Sequence, residues 1–164
     1  MLLPYIEMSC RPTVPLVSVV RRFVTEFYKR IVGDTDATSR IALATHELLE
    51  NAVKYSRDGE TRLRIEVDTN STPHAVRIEM QNRAEPGHLA AIREILDGVA
   101  TAPDPMAFYQ SLMVKTSTRL EGSGLGLARI CVEADMKLSY RIDGDSLILT
   151  GDAQLYADET ESAA

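Results

Sequence analysis

The chain has 164 residues, 45% of them hydrophobic, and a formal net charge of −6. That length and apolar fraction permit one compact domain with a sizeable core, expected over residues 1–156. The acidic balance, with Lys and Arg scattered and not clustered, excludes general nucleic-acid binding and argues against docking on anionic lipid. Cys10 and Cys131 lie far apart without metal-ligand spacing and read as small buried hydrophobes of a reducing compartment. No signal-peptide pattern opens the chain and no apolar run is long enough to cross a membrane, so the cytoplasm is the expected location.

Residues 5–10 alternate in polarity between Pro4 and Pro12, which predicts an edge strand. From Pro15 to Val32 the apolar positions Leu16, Val19, Val20, Phe23, Phe27 and Ile31 recur at helical spacing, and Gly33 ends the run. A second helix is expected from Asp36 or Thr38, both good caps, to Tyr55, with Asp58-Gly59 turning the chain. Leu63, Ile65 and Val67, then Val76, Ile78 and Met80, alternate with polar residues and predict an antiparallel hairpin linked through 69–74. Leu89, Ile92, Ile95, Leu96 and Val99 form one helical face, and a short helix is expected from Pro105 to Val114. Two closing strands, Leu138 to Ile142 and Ser146 to Leu155, flank Asp143-Gly144-Asp145, and the tail at 157–164 is acidic and expected to fray. Strands gathered with helices and no regular βαβ alternation imply an α+β, two-layer sandwich: a mostly antiparallel sheet with helices on one face.

Between these elements lies the run Gly122-Ser123-Gly124-Leu125-Gly126-Leu127, leading into a helix that carries Ile130, Cys131 and Ala134. Alternate glycines let the main chain approach a ligand closely, and the start of the helix favours an anion. The same run also reads as an ordinary glycine-rich turn. On the second helix, Glu47, Asn51 and Lys54 fall within roughly 60° of one another at about 100° per residue. The stripe borders the apolar face of Ile41, Ala44, Leu48, Ala52 and Tyr55, where it would form a pocket wall. Its chemistry suits phosphate work: Asn51 offers an oxygen to Mg²⁺, Lys54 meets phosphate, and Glu47 orients or deprotonates a hydroxyl. The alternative is a solvated face with Glu50 and Lys54 as an i,i+4 pair.

Taken together and in this order, the two motifs resemble the adenine-nucleotide-binding domain shared by gyrase, a heat-shock chaperone, histidine kinases and MutL, the GHKL or Bergerat fold. Glu47-x-x-x-Asn51-x-x-Lys54-Tyr55-Ser56 looks like its N-box, and Gly122 to Leu127 like its second glycine box. Without a dimerisation and phosphoacceptor helix pair ahead of the domain, the chain is similar to free-standing bacterial anti-sigma factors and switch-protein serine kinases. The resemblance implies bound ATP and Mg²⁺, with Asn51 on the metal, Glu47 as catalytic base, and Gly122, Ser123, Gly124, Leu125, Gly126 and Leu127 around the phosphates. It also implies a regulatory STAS-type or sigma-like partner protein that is phosphorylated on Ser or Thr, and a homodimer. The alternative it leaves open is a catalytically inactive module of the same fold that regulates a partner by complex formation.

The family's Asp-x-Gly-x-Gly box, whose aspartate accepts from the adenine amino group, is replaced here by Gln81-Asn82-Arg83-Ala84-Glu85-Pro86-Gly87-His88. Asn82 is the candidate acceptor, through a neutral and weaker oxygen, and Glu85 a stand-in. Lys115 and Arg119 are further phosphate candidates in a lid over 89–109 and beyond. His46 reads as a surface or orienting residue beside Glu47, and Met106, Met113 and Met136 as core fillers.

Overall fold

Strand alternation sets the architecture of the computed structural model, which describes residues 3–33, 35–116 and 124–156. β1 (Tyr5–Cys10), β2 (Ser56–Asp68), β3 (His74–Ala84), β4 (Lys137–Asp143) and β5 (Ser146–Leu155) form an antiparallel sheet in the order β1-β2-β3-β5-β4. Leu63, Ile65 and Val67 pair with Met80, Ile78 and Val76, and all six are buried on one face. Leu147 and Leu149 of β5 continue that face, while Arg62, Arg64, Arg77 and Asp152 project from the other. A side-chain period of two thus separates an apolar layer from a charged one.

Five helices lie on the apolar side of the sheet among the described residues: α1 (Val14–Ile31), α2 (Asp36–Tyr55), α3 (Pro86–Thr101), α4 (Pro105–Thr116) and α5 (Leu125–Glu133). The chain is an α+β two-layer sandwich. α2 is central: Ile41, Ala44, Leu48, Leu49 and Ala52 are buried against the sheet and α1. Truncating a residue such as Leu48 would cost about 2–5 kcal/mol. α2 is capped by Thr35, whose hydroxyl accepts from Thr38 N–H at 3.2 Å, one residue ahead of the cap that spacing suggested. Midway along α2, buried Tyr28 of α1 meets Thr45 through their hydroxyls at 3.3 Å, and burial pushes the Tyr28 phenol up.

Several local expectations are corrected. Asp58-Gly59 does not end an element but sits within β2, in an irregularity between the Ser56↔Ala84 and Thr61↔Asn82 pairs. Gly59 takes φ +75° there, and Asp58 Oδ1 accepts from Glu60 N–H at 3.0 Å, so turn chemistry serves a bulge. Both strands of this hairpin therefore run past the alternating cores visible in sequence, and β3 carries Asn82 inside the sheet instead of after it. Met106 and Met113 are exposed at 45% and 40%, because α4 lies over α3 and α5 and leaves a flank to solvent; Met136 alone of the three is buried. Cys10 and Cys131 are free and only half-buried, with burial raising both thiols. Among the described residues no helix is long and apolar enough to cross a membrane. The tail at 157–164 lies outside the described residues.

Candidate functional site

The helical stripe and the glycine run meet where α2 packs on α5. Gly124 is the N-cap of α5, at φ +60° and ψ 4°, a left-handed conformation open to glycine. Its missing Cβ also makes room for the Ile95 side chain of α3. The helix ladder begins with Ala128 N–H to Gly124 O at 3.3 Å. Gly126 lies directly under Glu47: a Cβ there would stand 2.6 Å from Glu47 Oε2. At both glycines a Cβ would displace a neighbouring side chain, Ile95 at Gly124 and Glu47 at Gly126. Gly122 and Ser123 lie outside the described residues, as does Arg119.

Glu47 is held. Its Oε1 accepts from Arg129 Nη1 at 3.0 Å, with the Glu47 side chain 14% exposed. Arg129 Nε donates to Glu133 Oε2 at 2.7 Å, and Tyr109 of α4 donates to Glu133 Oε1 at 3.1 Å. The Glu133 carboxylate first, and Glu47 with it, keep the Arg129 guanidinium charged against partial burial. Asn51, one turn along from Glu47, is half-buried, and among the described residues nothing hydrogen-bonds its carboxamide. Lys54 is 63% exposed and lies 3.9 Å from Glu50, the i,i+4 pair the sequence also allowed. His46 does not touch Glu47: its Nε2 lies 3.4 Å from Glu50. Consecutive helical residues point about 100° apart while i,i+4 residues share a face, which is why the neighbour in sequence is not the neighbour in space.

Past the C-terminal end of α2, where Ser56 pairs with Ala84, the sheet supplies a buried polar pair. Asn82 is 4% exposed and its register partner Thr61 is 3% exposed, both on the helix-covered face. Asn82 Nδ2 donates to Arg83 O at 3.2 Å, which leaves Oδ1 buried without a partner, and Thr61 Oγ1 is in the same position. Orphaned buried oxygens are rare and mark places where a donor is owed. At the start of α3 the His88 ring stacks tilted on Tyr55, centroids 4.7 Å apart, closing this end. Glu85, the alternative to Asn82, stands at the N-cap position of α3 without a side-chain capping bond and pairs with Arg57 at 3.3 Å, its side chain exposed.

The residues that the sequence reading did not assign are Thr61, Tyr109, Arg129 and Glu133. Arg129 and Glu133 have i,i+4 spacing and were open to view as a pair; their tie to Glu47 was not, since it depends on how α5 docks on α2.

A family model described as the histidine kinase-like ATPase domain matches residues 10–140. The chain belongs to that family. Among solved structures it resembles a chain from the SiaB–SiaC complex of Pseudomonas aeruginosa, with a TM-score of 0.61 at 12% identity over 92% of this chain and 89% of that one. At that identity the likeness is one of fold. No curated protein matches the sequence. The ATPase-domain assignment accounts for α2, the β2–β3 hairpin, the α3–α4 segment and α5 in their order along the chain.

Proposed function

We propose that this ATPase domain binds ATP with Mg²⁺ in a cytoplasmic signalling role, acting as an anti-sigma-factor-like serine/threonine kinase on a small STAS-type or sigma-like partner protein. The observation that carries the reading is Glu47 packed on Gly126, which brings the polar stripe of α2 to the first turn of α5. The donor set fits a magnesium nucleotide. Asn51 presents an amide that nothing among the described residues hydrogen-bonds, the glycine turn admits close approach, and Asn82 Oδ1 is a buried acceptor with no donor among the described residues.

In this reading Asn51 holds the metal, and the N–H groups of Gly124, Leu125, Gly126 and Leu127, with Gly122, Ser123 and Lys54, hold phosphate. Asn82 accepts from the adenine amino group. When bound, Mg-ATP supplies a phosphoryl group activated for transfer. Glu47 takes the proton of the incoming Ser or Thr hydroxyl. Lys54 leaves Glu50 at little cost, because exposed pairs of this kind contribute about 0.3–0.5 kcal/mol. α3 and α4, which rest on α5 through Ile95 and Tyr109, form a lid that shifts to admit the base and then excludes water. A partner protein is supported by the fold relative, which was solved as a two-protein complex. Pairing of two copies belongs to the same proposal.

Calorimetric titration with Mg-ATP tests this. Binding that weakens sharply in EDTA is expected; no heat at millimolar nucleotide, with the circular dichroism of a folded protein, would overturn it. A second reading, a module that holds a partner without phosphorylating it, is favoured by the neutral Asn82. Incubation with radiolabelled ATP and a STAS-type protein separates the two. Label on the partner supports the kinase, and a stable complex without label supports the module.

A further inference from the structure

One chain of polar contacts starts at Glu47 and crosses three helices, and its Arg129 and Glu133 have no part in the ligand contacts proposed above. Glu47 on α2 meets Arg129 on α5; Arg129 meets Glu133 on the same helix; Glu133 meets Tyr109 on α4. The guanidinium is gripped on two edges, Nη1 by Glu47 and Nε by Glu133, at 3.0 and 2.7 Å. A planar fork held at two edges by carboxylates from different elements has little freedom to rotate. Glu133 in turn is held through its second oxygen by the Tyr109 hydroxyl at 3.1 Å.

We propose that Arg129 is the positioning residue for Glu47, and that Glu133 and Tyr109 set Arg129 so that the seat of the lid helix α4 governs the aim of the Glu47 carboxylate. The proposal rests on the reading of Glu47 as the base. Because Oε1 is committed to Arg129, Oε2 is the oxygen left to accept a proton, and Oε2 is the one that lies over Gly126 at the glycine turn. A lysine could supply the charge at this position but not the two-edged grip, so the geometry asks for arginine. Movement of α4 would release Glu133, loosen the fork and leave Glu47 free to turn. The base is therefore aimed when the lid is seated and unaimed when it lifts.

The test uses the full chain as wild type, Arg129→Met, Arg129→Lys, Glu47→Gln, Tyr109→Phe and the Arg129→Met/Glu47→Gln double variant. Three readouts are taken: Mg-ATP affinity by calorimetry, phosphate release from ATP, and melting temperature. Arg129→Met should keep Mg-ATP affinity within about twofold while phosphate release falls at least about tenfold, within the range expected for a displaced general base. Arg129→Lys should recover part of that rate, and the double variant should be no slower than Glu47→Gln alone, since Arg129 acts through Glu47. Tyr109→Phe should give a smaller loss in the same direction. Equal losses of affinity and rate in Arg129→Met, an unchanged rate, or a double variant slower than Glu47→Gln would overturn the proposal. The melts decide it independently of turnover. Melting losses of the two single variants should be non-additive, and additive losses would show that no such coupling exists. Absence of Mg-ATP binding in wild type would instead sink the nucleotide reading, with the melt cycle still deciding the Glu47–Arg129 coupling.

Discussion

Glu47, Arg129 and Glu133 satisfy one another where α2 meets α5, whereas Asn82 Oδ1 and Thr61 Oγ1 lie buried between sheet and helices with no hydrogen-bond partner among the described residues. The two ends of one candidate site thus solve opposite problems. At the helix–helix contact, 40% of the Arg129 side chain still reaches water, and full charges are tolerated because each has a counter-charge within hydrogen-bond distance. At the sheet end, exposure falls to 4% and 3%, and a full charge without a cation beside it would carry a heavy desolvation cost. A neutral amide avoids that cost. On the proposed reading, in which Asn82 stands in for an aspartate, the substitution fits the burial of the site: an acceptor is kept and the charge is removed.

The largest effect tests the charged end. Asn51→Ala should lower Mg-ATP affinity roughly 100-fold in magnesium and scarcely change the weak binding left in EDTA, because only the metal contact is lost. Its helix content and melting temperature should hold, with a stability change within about 0.5 kcal/mol, as expected for a half-buried side chain without partners among the described residues. Equal losses with and without magnesium would remove Asn51 from the metal.

The sheet end answers next. Asn82→Asp restores a carboxylate at a site 4% exposed, and should destabilise the nucleotide-free protein by about 1–3 kcal/mol at neutral pH. Burial raises the pKa of the new acid in the folded state above its unfolded value, so the variant is most stable at low pH and loses stability as pH rises through the folded pKa. Asn82→Leu, apolar and of similar size, should melt close to wild type and lose Mg-ATP affinity. If Asn82→Asp instead melts like wild type at pH 8, a cation reaches this end and the contrast between the two ends dissolves.

Gly126→Ala probes the contact that joins α2 to α5. Alanine in a first helical turn should help α5 by up to about 1 kcal/mol from propensity alone. The methyl group would meet Glu47 Oε2, so the carboxylate must leave its place and Arg129 loses a partner. A net loss of about 1 kcal/mol is expected by chemical denaturation. A net gain would show that Glu47 moves aside freely.

How much of this was open to view in the sequence follows the same divide. The buried stripe of α2 at Ile41, Ala44, Leu48 and Ala52, the alternating strands and the β4–β5 hairpin are set by local period and turn chemistry, and they fold as the periods say. Glu47 and Asn51 were legible as a pair because helical geometry fixes their angle. The orphaned Asn82 oxygen was not, since the spacing of Leu63, Ile65 and Val67 does not show that β2 carries a bulge at Gly59 and runs back to Ser56. Nor was the hold of Arg129 on Glu47, because which side of α5 faces α2 depends on packing between distant segments. Methionines 106 and 113 misled for a related reason: apolar residues on a helix that covers other helices need not be buried.

The smallest effect uses a third charged cluster as the exposed counterpart of Glu47 and Arg129. Asp145, in the β4–β5 turn, accepts from Arg83 Nε and Nη2 at 2.9 and 2.7 Å and from Arg57 Nη1 at 3.2 Å. The Arg83 hydrogen bonds first, then its charge and that of Arg57, hold the Asp145 carboxyl below its usual range. A carboxyl whose folded pKa is depressed stabilises the fold above its unfolded pKa and loses that contribution as pH falls through the folded value. The melting difference between wild type and Arg83→Met should therefore be present at neutral pH, shrink across the acid limb, and vanish once Asp145 is protonated in both. Because this cluster is open to solvent, about 1 M salt should also erase most of the difference. The same salt should leave more of the Glu47–Arg129 coupling intact, since its carboxylate is largely shielded from water. Equal salt sensitivity at the two clusters would mean that Glu47 is as well hydrated as a surface acid, and that the charged end of the site is held by no more than a surface pair.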